Sequence, residues 1–128
     1  TDAADLQGWD VCVVTGGNAG EHLLAKQPKV HIERRGSYSQ CVTDLMTGKV
    51  RAVAGDAAIL AGLARAQARD VAVPADGVAY GTVRYGIAVP RASKTLAKNV
   101  ADALSDMRAD GTWKTYMARL GAETGWKE

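Results

Sequence analysis

Three short β-branched runs, each passing through a turn into a helix-forming stretch, constrain the fold of this chain more than any other feature. Val11-Cys12-Val13-Val14 leads into Thr15-Gly16-Gly17-Asn18-Ala19-Gly20, and Glu21 to Lys26 then has helical composition. Val30 to Glu33 is the second run. A helix follows it from about Tyr38, with Ser37 as N-cap, Leu45 and Met46 on the apolar face and Gly48 as its stop. Val50 to Gly55 is the third run, and Asp56 stands where it gives way to a helix over Ala57 to Ala68, placed to cap it. Strands that alternate with helices must return in the same direction, so these runs predict a parallel sheet with flanking helices, an α/β fold. Two further strands are predicted, at Val71 to Val73 and Thr82 to Val89, joined by a stretch punctuated by Pro74 and Gly77.

After Pro90 the pattern changes. Leu96, Val100, Ala103, Leu104 and Met107 recur at three- and four-residue spacing, which predicts an amphipathic helix. Gly111 suits the left-handed position after its end, and Thr112 is placed to cap a last helix carrying Trp113, Tyr116, Met117 and Leu120 on one side. The expected organisation is an α/β lobe over residues 1–90 and a C-terminal helical segment over 91–128.

Composition narrows the partners. The 128 residues suffice for one core and not for two ordinary ones. Sixteen basic and fourteen acidic side chains, dispersed along the chain, give a net charge of +2. That is no concentrated basic face, so nucleic acid is not an expected partner. No apolar run approaches the roughly 20 residues that span a bilayer.

Several segments share an order with one known family. They are Asp5-Leu6-Gln7-Gly8, Val11-Cys12-Val13 with its Gly turn, Ser37-Tyr38-Ser39-Gln40-Cys41 and Gly48-Lys49-Val50-Arg51-Ala52-Val53. Asp56 with Ile59-Leu60-Ala61-Gly62-Leu63, Tyr85-Gly86-Ile87-Ala88-Val89 and Met107-Arg108-Ala109-Asp110-Gly111-Thr112-Trp113 complete the series. In their succession the chain resembles the polar amino-acid-binding proteins of ABC transporters, the bacterial extracellular solute-binding protein family 3, especially its actinobacterial glutamate- and glutamine-type members. The resemblance implies the second lobe of a periplasmic-binding-protein-like clamp, together with two C-terminal helices that in the family pack on the first lobe. A first lobe, a transporter permease or a membrane-bound signalling protein is then the expected partner, with a homodimer through the C-terminal helices as an alternative. An extracytoplasmic location is implied, and no cofactor.

The resemblance also assigns a site. A zwitterion needs donors for its carboxylate and an acceptor for its ammonium group, which helix N-termini and carboxylates supply. The family uses an Asp at the position of Asp56 for the ammonium and the turn at Thr15, Gly16, Gly17, Asn18 and Ala19 to help hold the carboxylate. Relatives usually carry Ser or Thr in that turn where Gly17, Asn18 and Ala19 stand, and the family's carboxylate-gripping arginine belongs to the other lobe. Weak binding by this chain alone is the expectation. Asp56 is equally well explained as a helix cap, and the glycine turn as a tight strand-to-helix connection. Related actinobacterial sequences pair two cysteines at the positions of Cys12 and Cys41, which implies a disulfide. Two buried free thiols are the alternative.

Other chemistries find less support. Gly16, Gly17 and Gly20 do not form the G-x-G-x-x-G dinucleotide fingerprint, and no phosphate-binding G-x-x-x-x-G-K-[ST] occurs. His22 and His31 lack the short paired spacings of a zinc site, and no nucleophile–base–orienter set is evident, so neither a metal nor an enzyme is expected. Arg34 and Arg35, after the second strand, offer a substitute cation for an acidic ligand or a solvated rim. The remaining functional alternative is a sensory or protein-interaction domain that no longer binds amino acids.

Overall fold

The computed structural model describes residues 6–67, 70–73 and 79–126. The chain divides into two units, one ending at Val83 and the other beginning at Arg84.

The first unit contains β1 (Asp10–Val14), α1 (Ala19–Lys26), β2 (His31–Arg35), α2 (Tyr38–Met46), β3 (Ala52–Val53) and α3 (Ala57–Ala66). The three strands form one sheet in the order β2-β1-β3. Both pairings are parallel, with Val13 opposite Arg34 and Cys12 opposite Val53. A further ladder bond, Ala54 N–H to the Cys12 carbonyl at 2.9 Å, carries the β1–β3 pairing past the end of β3.

Alternation of side chains across this sheet builds two small cores. Val11 and Val13 face one side, where they join Leu23 of α1, Val30 and Ala54, with Trp9, Ile32 and Tyr80 packed around them. Cys12 faces the other side, against Cys41 of α2 and Val50, with Leu45 and Val53 alongside. β1 is thus buried on both faces, as its unbroken β-branched run requires. The Cys12–Cys41 disulfide is formed, with Cα atoms 5.5 Å apart and both residues fully buried. It ties α2 to the central strand.

Caps set the helix boundaries. Ser37 Oγ accepts from Gln40 N–H at 3.3 Å to begin α2, and Gly48 takes φ +73 beyond its end. Behind α2, the buried Asp44 receives Arg35 Nε–H at 2.6 Å and lies 3.4 Å from Lys49 Nζ. The guanidinium holds the Asp44 carboxyl below its ordinary range against the opposing cost of desolvation. Tyr80 Oη is buried without a hydrogen-bond partner among the described residues, and burial pushes this phenol up.

The second unit contains α4 (Lys94–Ala109) and α5 (Thr112–Thr124), which pack on each other. Gly111, at φ +83, turns the chain between them. Thr112 is the first residue of α5 rather than its cap: its N–H donates to Asp110 Oδ1 at 2.8 Å, and Gly111 occupies the cap position.

Three expectations are revised. The strands predicted at Val71 to Val73 and Thr82 to Val89 are not formed; the Pro74 and Gly77 punctuation lies outside the described residues. Strand propensity expresses the fit of a side chain to a partly buried pleated surface, and residues 82–88 are exposed. The third strand is limited to Ala52–Val53 because only these two residues meet β1 in full register. Finally, Arg34 and Arg35 do not follow β2 but close it, opposite Val13 and Val14.

Candidate functional site

In the sheet ordered β2-β1-β3, β1 and β3 are parallel neighbours, and the space outside the carboxyl ends of such strands is where open α/β sheets take ligands. The turn at Thr15 to Ala19 leaves β1 at this place. Asp56 follows β3 on the same rim, because the two strands run parallel. The topology therefore sets both segments at the same end of two neighbouring strands.

The turn is shaped by its backbone. Thr15 N–H donates to the Arg35 carbonyl at 2.8 Å, Gly16 takes φ +85, and Gly17 N–H returns to the Val14 carbonyl at 3.3 Å. Asn18 stands at the cap position of α1 but makes no side-chain cap hydrogen bond. The first turn of α1 thus lacks the side-chain oxygen that closes the starts of α2 and α3. Gly20 is buried against Val13, and the Arg34 guanidinium lies over it, so any β-carbon there would touch both.

Asp56 is a true N-cap. Its Oδ1 accepts from Ala58 N–H at 3.0 Å and from Ile59 N–H at 3.1 Å. The helix-cap reading is established; it is compatible with a ligand role.

One participant escaped the sequence reading. Tyr38, the first residue of α2, reaches the β3–α3 junction, where its Oη accepts the backbone N–H of Asp56 at 3.2 Å. Its ring and hydroxyl lie so close over Gly55 that a β-carbon there would collide with them. A glycine directly before the acid at a strand end was the available signal, since such a glycine marks close approach.

Other sequence candidates are placed apart. Arg35 is committed to Asp44, Glu33 and the Arg34 carbonyl, the first and last at 2.6 and 2.8 Å, so it is not a spare cation for a ligand. His22 packs against Gly81, and His31 lies 3.3 Å from Asp10. Both cysteines are in the disulfide, which leaves no thiolate for a metal or for nucleophilic attack. Two open depressions, of about 380 and 300 Å³, are lined by Arg35, Ser39, Gln40, Thr43 and Asp44 and by Gln7, Lys26, Gln27, Pro28 and Lys29 respectively; neither includes Asp56 or the Thr15–Ala19 turn.

Comparison with known proteins bears on this geometry. No family model matches the chain. A glutamate-binding protein, GluB, of Corynebacterium efficiens is 30% identical over 118 residues, which is 89% of this chain and 40% of that protein. The probable amino-acid-binding protein YxeM of Bacillus subtilis is 29% identical over 112 residues, 86% of this chain and 42% of that protein. The ABC transporter glutamine-binding protein GlnH of the same organism is 28% identical over 107 residues, 84% of this chain and 38% of that protein. The chain therefore spans about 40% of the length of these relatives.

Among solved structures, an ancestral arginine-binding protein bound to glutamine superposes with a TM-score of 0.71 at 25% identity, over 90% of this chain and 51% of its own. The arginine-bound form of such a protein gives 0.70 over 97% of this chain and 54% of its own. By sequence and by fold alike, this chain matches a part of the amino-acid-binding solute-binding proteins.

Proposed function

We propose that the chain is an extracytoplasmic amino-acid-binding domain of a transport receptor or ligand sensor. The observation that supports this reading is that Asp56 and the Thr15–Ala19 turn follow two neighbouring parallel strands, β3 and β1, at the same end of the sheet. The Asp56 carboxylate accepts the ligand's ammonium group. The α1 N-terminus, approached through Thr15, Gly16, Gly17, Asn18 and Ala19, receives its carboxylate on backbone N–H groups favoured by the helix dipole. The role is binding and release without chemistry, as the names of the relatives suggest.

A single lobe offers one wall of a cleft. The other wall belongs to a first lobe, in this polypeptide or a partner, with a permease or membrane-bound signalling protein downstream. The disulfide fits an oxidising, extracytoplasmic setting. A homodimer through α4 and α5 is the alternative means of covering Leu96, Trp113 and Tyr116, which are exposed.

Calorimetric titration with glutamate, glutamine, aspartate, asparagine and arginine tests the reading. Binding that disappears in Asp56→Ala is expected. No heat with any of the five at millimolar concentration would favour the second reading, a sensory or protein-interaction domain without amino-acid binding. That second reading draws on the turn, where Gly16, Gly17 and Ala19 carry no polar side chain.

A further inference from the structure

We infer that Tyr38 is a positioning residue for the rim site, its phenol oxygen fixing the backbone on which Asp56 presents its carboxylate. The inference rests on the ligand-binding reading of Asp56 but concerns a different side chain on a different element.

Three contacts converge on the β3–α3 junction. Tyr38 Oη accepts the Asp56 N–H, a donor that precedes the first turn of α3 and that the helix itself does not satisfy. The Tyr38 ring covers Gly55 at a distance only glycine tolerates, so the ring and the hydroxyl locate residues 55 and 56 together. On its side-chain end Asp56 is held by Ala58 and Ile59 through Oδ1. The carboxylate is thus fixed by α3 and its backbone by α2.

The anchor itself is rigid. Tyr38 opens α2 directly after the Ser37 cap, and three residues on, Cys41 bonds to Cys12 in the central strand. Cys12 also pairs with Val53, and its carbonyl receives Ala54 N–H. A closed circuit therefore runs from Asp56 through Tyr38, α2 and the disulfide to β1 and back through β3. An acid that must meet an ammonium group within hydrogen-bond reach gains from such a frame, because its placement is settled before the ligand arrives.

Tyr38→Phe keeps the ring over Gly55 and removes only the acceptor; Tyr38→Leu removes both. Titration of the full chain with glutamine and with glutamate should show Tyr38→Phe weakened about three- to tenfold, the size of one hydrogen bond. Its melting temperature should stay near that of the parent, and Tyr38→Leu should lose both affinity and stability. Equal affinity of Tyr38→Phe and the parent would overturn the inference while leaving Asp56 binding intact, since it would reduce Tyr38 to packing.

Amide hydrogen exchange separates the two proposals. The Asp56 amide should exchange faster in Tyr38→Phe, with Cys12 and Val13 unchanged. An unaltered Asp56 amide would refute the positioning role whether or not amino acids bind. Absence of binding by the parent, with the amide accelerated in Tyr38→Phe, would refute the ligand-binding reading and support the placement of the junction by Tyr38.

Discussion

The two units of this chain use the same kinds of residue to different ends. In the first, Val11, Cys12, Val13, Leu23 and Cys41 are at most 1% exposed, around a strand sandwiched on both faces. In the second, α4 and α5 repeat Leu, Val, Met and Trp at helical spacing, yet neither contains a buried residue. Apolar periodicity specifies a helix face; burial requires a surface opposite it. The second unit reaches only half-burial, at Val100, Leu104, Met107, Met117 and Leu120 of the two packed helices, and adds local contacts: the Lys98–Asp102 and Arg119–Glu123 pairs one turn apart, the Arg108 guanidinium 5.5 Å from the Trp113 ring, and the Asp110 cap.

If that contrast is sound, the largest loss of stability comes from breaking the link between β1 and α2. Replacing Cys12 and Cys41 by alanine should cost about 2–5 kcal/mol, because the bridge closes a loop between residues separated by 29 positions. Urea denaturation followed with and without reductant measures it. A denaturation midpoint unmoved by reduction would show that the two cores suffice without the bond.

Truncations separate the units next. Leu23→Ala, at a fully buried position between α1 and the sheet, should cost about 2–5 kcal/mol. Leu96→Ala, at 46% exposure, should cost less than about 1.5 kcal/mol, since nearly half of its surface is already in water. Equal losses would mean that α4 is covered in solution, which is also the outcome a dimer through these helices would give; light scattering on the same samples tells whether a second copy does the covering.

The first three strands and the helices of both units were legible in the sequence for a physical reason. Ser37 and Asp56 cap their own helices by bonds within three residues, and the runs at Val11 and Val50 are apolar enough to demand burial wherever they pair. Those signals are local. The Tyr38–Gly55 contact joins residues 17 positions apart and leaves no periodicity, so only the glycine hinted at it. Thr82 to Val89 shows the converse failure: its alternation is strand-like, but a ladder needs a neighbouring strand, and none among the described residues is bonded to it. At the candidate site, the acid and the turn were legible because their chemistry and placement follow from strand ends; what sets the acid's backbone was not.

A smaller effect probes the turn between α4 and α5. Gly111 sits at φ +83, where a side chain costs about 1–2 kcal/mol, so Gly111→Ala should lower the helical signal on heating while leaving the first unit's amide protection unchanged. Loss of protection at Leu23 in that variant would show that the units melt together.

Acid should reveal the smallest difference, through Asp44 and Asp110. Both carboxyls lie below their ordinary value, Asp44 chiefly through the Arg35 hydrogen bond and Asp110 through hydrogen bonds from Thr112. For a carboxyl whose folded value lies below its unfolded one, the folded state binds fewer protons. The stabilisation is therefore complete above the unfolded value, near 3.9, and is lost as the pH falls through the folded value. Stability to urea should accordingly decline below about pH 5 and keep falling toward pH 2. Asp44→Asn should flatten that slope for the tertiary signal, because Asp44 joins α2 to β2 through Arg35. Asp110→Asn should flatten it only for the helical signal of the second unit, where the bond is local. If each substitution altered both signals alike, the contrast between a packed unit and a locally capped one would fail.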